Sequence, residues 1–156
     1  MLDKILSYGE ILSTTIIADY LNFQNIPSEQ LITNNIIITD NNFGNAYVHF
    51  QKSFNKIRNY FKEHKKTQII TGFIGSTEDG KITTLGRNGS DYTATLFGTA
   101  LDAKSIEIWS DVDGVLSTNP NFTKEARAIP HLTYEEAMEL AHAGAEILFP
   151  PSIIPV

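Results

Sequence analysis

The sequence predicts an α/β domain built on a mainly parallel sheet, and three observations lead there. Stretches with helical spacing of apolar residues alternate with short β-branched runs, the order that parallel sheets require. The chain has 156 residues, 42% of them hydrophobic, with ten Gly and six Pro; this is the length and composition of one domain with a substantial core. Cysteine is absent, which removes disulfide scaffolds, thiolate zinc sites and thiol catalysis from consideration.

The elements follow in order. Ile5, Gly9, Leu12, Ile16 and Tyr20 recur at steps of three and four, a helical stripe that begins almost at Met1 and is closed off by Pro27. Residues 35–40 and 45–50 read as two strands of a hairpin around Asp40-Asn41-Asn42-Phe43-Gly44. Phe54, Ile57, Arg58 and Phe61 mark a second helix that runs into the basic stretch 62–66. Residues 68–74 read as a buried strand, 72–89 as a Gly-rich polar loop, and 91–101 as a helix with Tyr92, Leu96 and Ala100 on one face. Residues 105–111 read as a strand, with Trp109 expected in the core; Asp113-Gly114 and Asn119-Pro120 are turn signals. Thr133 followed by Glu136 is a capping box, and the helix it opens runs through Ala137 and Leu140 to Leu148, before Pro150-Pro151. Met1 falls at a helix start with no strand before it, and Ile153-Ile154 begins a strand where the sequence stops. The expectation is therefore an α/β domain incomplete at both ends.

Charge is unevenly placed. Residues 1–66 carry seven Lys/Arg against six Asp/Glu, and residues 67–156 carry five against twelve. An acidic second half argues against a nucleic-acid backbone as partner. No apolar run approaches the ~18 residues of a membrane span, and no signal-peptide pattern precedes Glu10; the expected compartment is the cytoplasm. His49, His64, His131 and His142 show no ligand spacing, so no metal site of the histidine type is expected.

The run Gly75-Ser76-Thr77-Glu78-Asp79-Gly80-Lys81 has the outline of a phosphate-binding P-loop, but Ile82 stands where a Ser or Thr should reach Mg²⁺, and Glu78 and Asp79 oppose an anion. It is rejected. More informative is 84–94, where Gly86 and Gly89 flank Arg87 and Ser90-Asp91 open a helix. Free helix N–H groups beside a guanidinium form a site for a carboxylate or phosphate. A plain N-cap by Ser90 with an exposed Arg87 explains the same residues, and both readings stand at this point.

Four ordered segments carry a family resemblance: Ser7-Tyr8-Gly9-Glu10 with Leu12-Ser13, the run TGFIGSTEDGKITTLGRNGSDYTA at 71–94, Trp109-Ser110-Asp111-Val112-Asp113-Gly114-Val115, and 134–145. Together they resemble the aspartate kinases of the amino-acid kinase superfamily over nearly the whole chain. The resemblance implies a three-layer αβα sandwich. Residues 1–66 would belong to the amino-acid-binding lobe and 67–156 to the nucleotide-binding lobe. It implies transfer of the γ-phosphoryl of MgATP to the β-carboxylate of L-aspartate, the first step toward lysine, threonine and methionine. By resemblance Glu10 accepts the α-ammonium, Arg87 grips the α-carboxylate, Ser90 fixes the substrate and Asp91 organises phosphoryl transfer. Ser110, Asp111, Leu116, Asn121, Gly72 and Gly75 would contact ATP. Asp111 with Asp113 could reach Mg²⁺ through water, although a plain turn at Asp113-Gly114 is the favoured reading of Asp113.

The sequence also departs from the family pattern. No Lys-Phe-Gly-Gly-Thr-Ser type segment is present, Glu146 stands where a lysine is usual, and Leu116, Asn119 and Asn121 replace tyrosine, aspartate and arginine. Weak or absent turnover by this chain alone is therefore expected, with homo-oligomerisation or association with the rest of a kinase domain. A non-catalytic module of the same fold, a split enzyme and a kinase for another amino acid or UMP are the rival readings.

Overall fold

The computed structural model describes residues 2–111, 114–119 and 123–142. The elements are α1 (Leu2–Phe23), β1 (Ser28–Leu31), α2 (Phe50–Glu63), β2 (Thr67–Ile70), β3 (Ile74–Ser76), β4 (Ile82–Thr84), α3 (Gly89–Ala100) and α4 (Tyr134–His142). The strands form a parallel pair, β1 with β2, and an antiparallel pair, β3 with β4.

Period-two alternation along β1 sets the layers. Leu31 is buried in the main core with Ile57 of α2 and Leu96 and Phe97 of α3. Ser28 and Gln30 turn the other way, toward α1. There Ser28 Oγ donates to the Ala18 carbonyl at 2.9 Å, and Gln30 Nε2 donates to the Ile11 carbonyl and to Thr14 Oγ1, both at 2.8 Å. Helix α1 thus covers one side of the parallel pair, with α2 and α3 on the other, giving the αβα arrangement of the expected fold.

Helix α1 turns its apolar stripe outward. Its buried residues are Asp3, Ser7, Thr14 and Ala18, whereas Ile5, Leu12, Ile16 and Tyr20 are all more than half exposed. Small and hydroxylated side chains allow the helix to lie close against a strand that offers it Ser28 and Gln30. Asn25, in the left-handed region at φ 61°, ends the helix, and the Ile26 N–H returns to the Leu21 carbonyl at 2.9 Å.

Strand pairing differs from the sequence expectation in three places. The run 68–74 breaks after Ile70, because Phe73 takes a left-handed conformation (φ 46°) that no strand tolerates. Residues 72–89, expected as loop, contain the β3–β4 hairpin; the P-loop-like run supplies the end of β3 and the turn, with Gly80 at φ 81° and the Thr77 amide bonded to the Lys81 carbonyl at 3.0 Å. The hairpin expected over 35–50 is reduced to one antiparallel bridge, Thr39 with Val48, since 33–35 form a 3-10 turn and α2 already begins at Phe50.

Residues 105–111 join no ladder among the described residues. Ile106 packs onto α3 at Gly98, where a Cβ would come within 2.3 Å of it. Beyond it, Trp109 is 88% exposed rather than in the core. No strand among the described residues pairs with the segment to give that ring a surface to pack on.

Helix α4 begins at the expected capping box: the Glu136 amide donates to Thr133 Oγ1 at 3.1 Å, and the Thr133 amide to Glu136 Oε2 at 2.8 Å. Its expected continuation to Leu148, together with Asp113, Asn121, Glu146 and the strand at 153–154, lies outside the described residues. No helix among the described residues is long and apolar enough to cross a membrane.

Candidate functional site

The two parallel strands run toward one end of the sheet, and the chain leaves β2 there through Thr71, Gly72 and Phe73. A buried threonine pair holds this exit. Thr33 and Thr71 hydroxyls lie 2.9 Å apart, the Thr33 amide donates to Thr71 Oγ1, and Thr33 Oγ1 donates to the Ile74 carbonyl at 2.7 Å. The left-handed turn at Phe73 is fixed in the same way, its amide donating to Thr93 Oγ1 of α3 at 3.0 Å. A non-glycine residue in that region costs ~1–3 kcal/mol and persists where its surroundings hold it.

Three sequence-predicted residues meet at this turn. Glu10, projecting from α1, accepts a hydrogen bond from the Gly72 amide on Oε1 at 2.7 Å. A Cβ on Gly72 would lie 2.4 Å from Ser90 Oγ and 3.1 Å from Glu10 Oε1, so the missing side chain is what lets the carboxylate and hydroxyl converge. Gly89 makes the same allowance for the helix, since its Cβ would meet Phe73 Cβ at 2.6 Å. Ser13 and Thr14, three and four residues on, bond the Glu10 backbone carbonyl at 3.0 and 2.8 Å. The carboxylate is left for the turn.

Ser90 is not the N-cap of α3. Asn88 occupies that position at φ 55°, and its side chain makes no capping bond. No side chain among the described residues accepts from the first-turn amides of Ser90 and Asp91, which leaves that helix end open to an anion. Arg87 is exposed and makes no hydrogen bond or ion pair with another described residue. Three residues from Ser90, its Cα lies within ~11 Å of that residue at full extension. Asp91 is half-buried in the same first turn.

The remaining candidates come from other segments. Gly75 is buried in β3, where a Cβ would meet Thr39 Cγ2 at 2.8 Å, so packing alone requires a glycine there. Ser110 and Asp111 are exposed at the end of residues 105–111, which join no ladder among the described residues. Leu116 pairs with Ala128 in a small antiparallel bridge that the sequence did not announce, supported by Ser117 N–H to the Arg127 carbonyl at 2.8 Å. Asn121 lies outside the described residues. Among the described residues no group of three or more His, Asp or Glu is arranged to hold a metal ion.

Asp3 was not singled out from the sequence. Buried at 4% exposure, its Oδ2 accepts from the Gly44 and Thr84 amides, each at 2.8 Å, and from Thr84 Oγ1 at 3.2 Å. It ties the start of α1 to β4 just ahead of the Arg87 loop. In sequence it reads only as an acid in a first helical turn. Two cations are committed to acids of the β3–β4 turn: Lys81 pairs with Asp79 at 2.8 Å, and Lys52 pairs with Glu78. The Lys81 ammonium beside it, together with the Thr77 hydroxyl, holds Asp79 below the usual carboxylate range.

The site thus joins a carboxylate on a helix face, a turn that lacks a side chain, and an open helix end that follows Arg87 in the chain. The chain belongs to the amino acid kinase family, whose model matches residues 1–156. Within that family its relatives are aspartokinases. It is 40% identical to the chloroplastic aspartokinase 1 of Arabidopsis thaliana, over 98% of this chain and 28% of that protein. Escherichia coli aspartokinase III, solved in complex with aspartate and ADP, superposes with a TM-score of 0.92 at 33% identity, over 98% of this chain and 35% of that one. Clostridium acetobutylicum aspartate kinase gives 0.82 at 31% identity, over 99% and 33%. The chain thus spans about a third of the length of these relatives.

Proposed function

We propose that this chain forms the aspartate-recognising part of an aspartate kinase. The enzyme transfers the γ-phosphoryl of ATP to the β-carboxylate of L-aspartate and yields 4-phospho-L-aspartate and ADP. The observation that carries the reading is the convergence of Glu10 and Ser90 on Gly72, one short loop from Arg87. Glu10 takes the α-ammonium on the oxygen that Gly72 leaves free, Arg87 takes the α-carboxylate as a two-pronged clamp, and the Ser90 hydroxyl fixes the substrate between them. The β-carboxylate oxygen then bonds to the γ-phosphorus as the bond to the bridging β–γ oxygen breaks, and ADP leaves with that electron pair. Asp91, at the open helix end, orders the groups around the moving phosphoryl.

Nucleotide contacts fall to Ser110, Asp111, Leu116 and Asn121, with residues 67–156 supplying most of the nucleotide lobe and 1–66 part of the amino-acid lobe. Gly72 serves the amino-acid side, and Gly75 is assigned to packing. Mg²⁺ enters with the nucleotide phosphates, since the described residues offer no metal cage of their own. Phosphoryl transfer depends on cations around the developing charge. With Lys81 held by Asp79 and Arg87 given to the amino acid, the 156 residues alone are expected to bind aspartate and to turn it over poorly.

Calorimetric titration with L-aspartate and L-glutamate, beside an ATP-dependent hydroxamate assay, tests this. Aspartate binding that exceeds glutamate binding at least tenfold, with turnover orders of magnitude below a full-length relative, supports it. No preference for aspartate removes the site assignment, and turnover at a full-length rate removes the expectation of weak activity.

A further inference from the structure

The two halves of the candidate site come from separate segments. Glu10 and Gly72 belong to α1 and the exit of β2, whereas Arg87, Ser90 and Asp91 belong to the exit of β4 and the first turn of α3. Phe73 is where the segments join. Its carbonyl accepts from the Leu85 amide at 2.9 Å, just ahead of the Arg87 loop, and its amide donates to Thr93 Oγ1 at 3.0 Å. The same hydroxyl donates to the Gly89 carbonyl at 2.8 Å. An amide can only donate and a carbonyl can only accept, so the hydroxyl proton is committed to Gly89 and a lone pair to Phe73. A threonine that bonds the carbonyl four residues back is ordinary in a helix. Helix formation does not explain the second bond, which a 4% exposed side chain takes from a left-handed residue of another segment.

We propose that Thr93 is a positioning residue for aspartate, a relay whose one hydroxyl fixes two peptide planes and so sets both halves of the site in a single geometry. In a trans peptide the N–H and the C=O point opposite ways. The Gly89 carbonyl shares its plane with the Ser90 amide, one of the open first-turn donors. Drawing that carbonyl onto Thr93 aims the Ser90 amide out of the N-terminal end of α3. The Phe73 amide shares its plane with the Gly72 carbonyl, and the next peptide back carries the Gly72 amide that Glu10 accepts. Holding Phe73 at φ 46° keeps that amide against the Glu10 carboxylate. Thr93 thus acts through Gly72 and Ser90. The choice of aspartate as ligand rests on the function proposed above, whereas the relay can be read in the chain by itself.

Native-state hydrogen exchange, beside calorimetry with L-aspartate, tests the relay on the 156-residue chain, with Thr95→Val as control. Thr95 is also buried in α3, and its hydroxyl bonds the Tyr92 carbonyl of the same helix at 2.9 Å. Thr93→Val should speed exchange of both the Phe73 and the Gly72 amides by about tenfold or more. It should weaken aspartate binding by about tenfold or more as well. Thr93→Ser, which keeps the hydroxyl, should restore both, and Thr95→Val should change neither. Thr93→Ala removes the same hydroxyl with a better helix former, and it gives the same reading if the valine variant does not fold. Release of the Phe73 amide with Gly72 still protected as in the parent overturns the relay. So does unchanged aspartate affinity in Thr93→Val, or an equal loss in Thr95→Val. A parent chain that binds no aspartate overturns the aspartate reading instead, and the exchange of Gly72 then decides the relay alone.

Discussion

Glu10 and Gly72, 62 positions apart in the chain, meet through a single 2.7 Å hydrogen bond from backbone amide to carboxylate. One oxygen of the carboxylate is thereby fixed by the protein, and no further hydrogen bond from a described residue reaches the carboxylate.

Replacing Glu10 with Gln keeps an acceptor for the Gly72 amide but removes the charge. Aspartate affinity should fall about a hundredfold, the scale for truncating one partner of a desolvated ion pair, while the melting temperature stays nearly constant. Calorimetry on the parent and E10Q chains measures both ends of this comparison.

Gly72→Ala should be worse for both stability and binding. Its Cβ would lie 2.4 Å from Ser90 Oγ and 2.8 Å from Ser90 Cβ, an overpacking defect expected to cost about 1–3 kcal/mol. Removing the opposing side chain with Ser90→Gly in the same chain should restore much of the stability. Strong non-additivity in urea denaturation of the single and double variants is the expected signature.

Asp3→Ala leaves the Gly44 and Thr84 amides without their acceptor. An unsatisfied buried donor costs about 1–3 kcal/mol, so the denaturation midpoint should drop clearly, and more than for a change at exposed Asp19. Because Thr84 leads into the Arg87 loop, aspartate binding should weaken along with stability.

Tyr92 sets an alkaline limit. Burial in α3 pushes its phenol up to about 12 from an ordinary 10. The folded chain thus holds this proton more tightly than the unfolded one. The resulting stability is fully present below about pH 10, falls as the unfolded phenol ionises first, and is lost by about pH 12. Urea midpoints between pH 9 and 12 should decline with this slope, and Tyr92→Phe should flatten it.

Legibility in the sequence followed the range of the interactions. Helices α2 and α3 and the Thr133–Glu136 cap were readable because three- and four-residue spacing is local. The β3–β4 hairpin was not, since strands of three residues embedded among Gly, Thr and Asp carry no period long enough to detect. Periodicity placed Ile5, Leu12, Ile16 and Tyr20 on one face of α1 but could not say which face meets the sheet. Only Ser28 and Gln30, donors on the facing strand, decide that. Glu10 and Ser90 were found through a motif; their convergence depends on Gly72 and on a left-handed Phe73, which no spacing rule announces. Trp109 failed for a related reason: a strand needs a neighbour to pair with, and none among the described residues pairs with residues 105–111.

The seam between α1 and β1 is made of directional bonds. Greasy surfaces can slide past one another by an ångström at little cost, whereas donors from Gln30 and Ser28 seated on the carbonyls of Ile11 and Ala18 act as detents along the helix axis. Glu10 sits one residue before the first of these stops, so the height at which its carboxylate reaches the turn is indexed to the strand and not left to the fit of side-chain volumes.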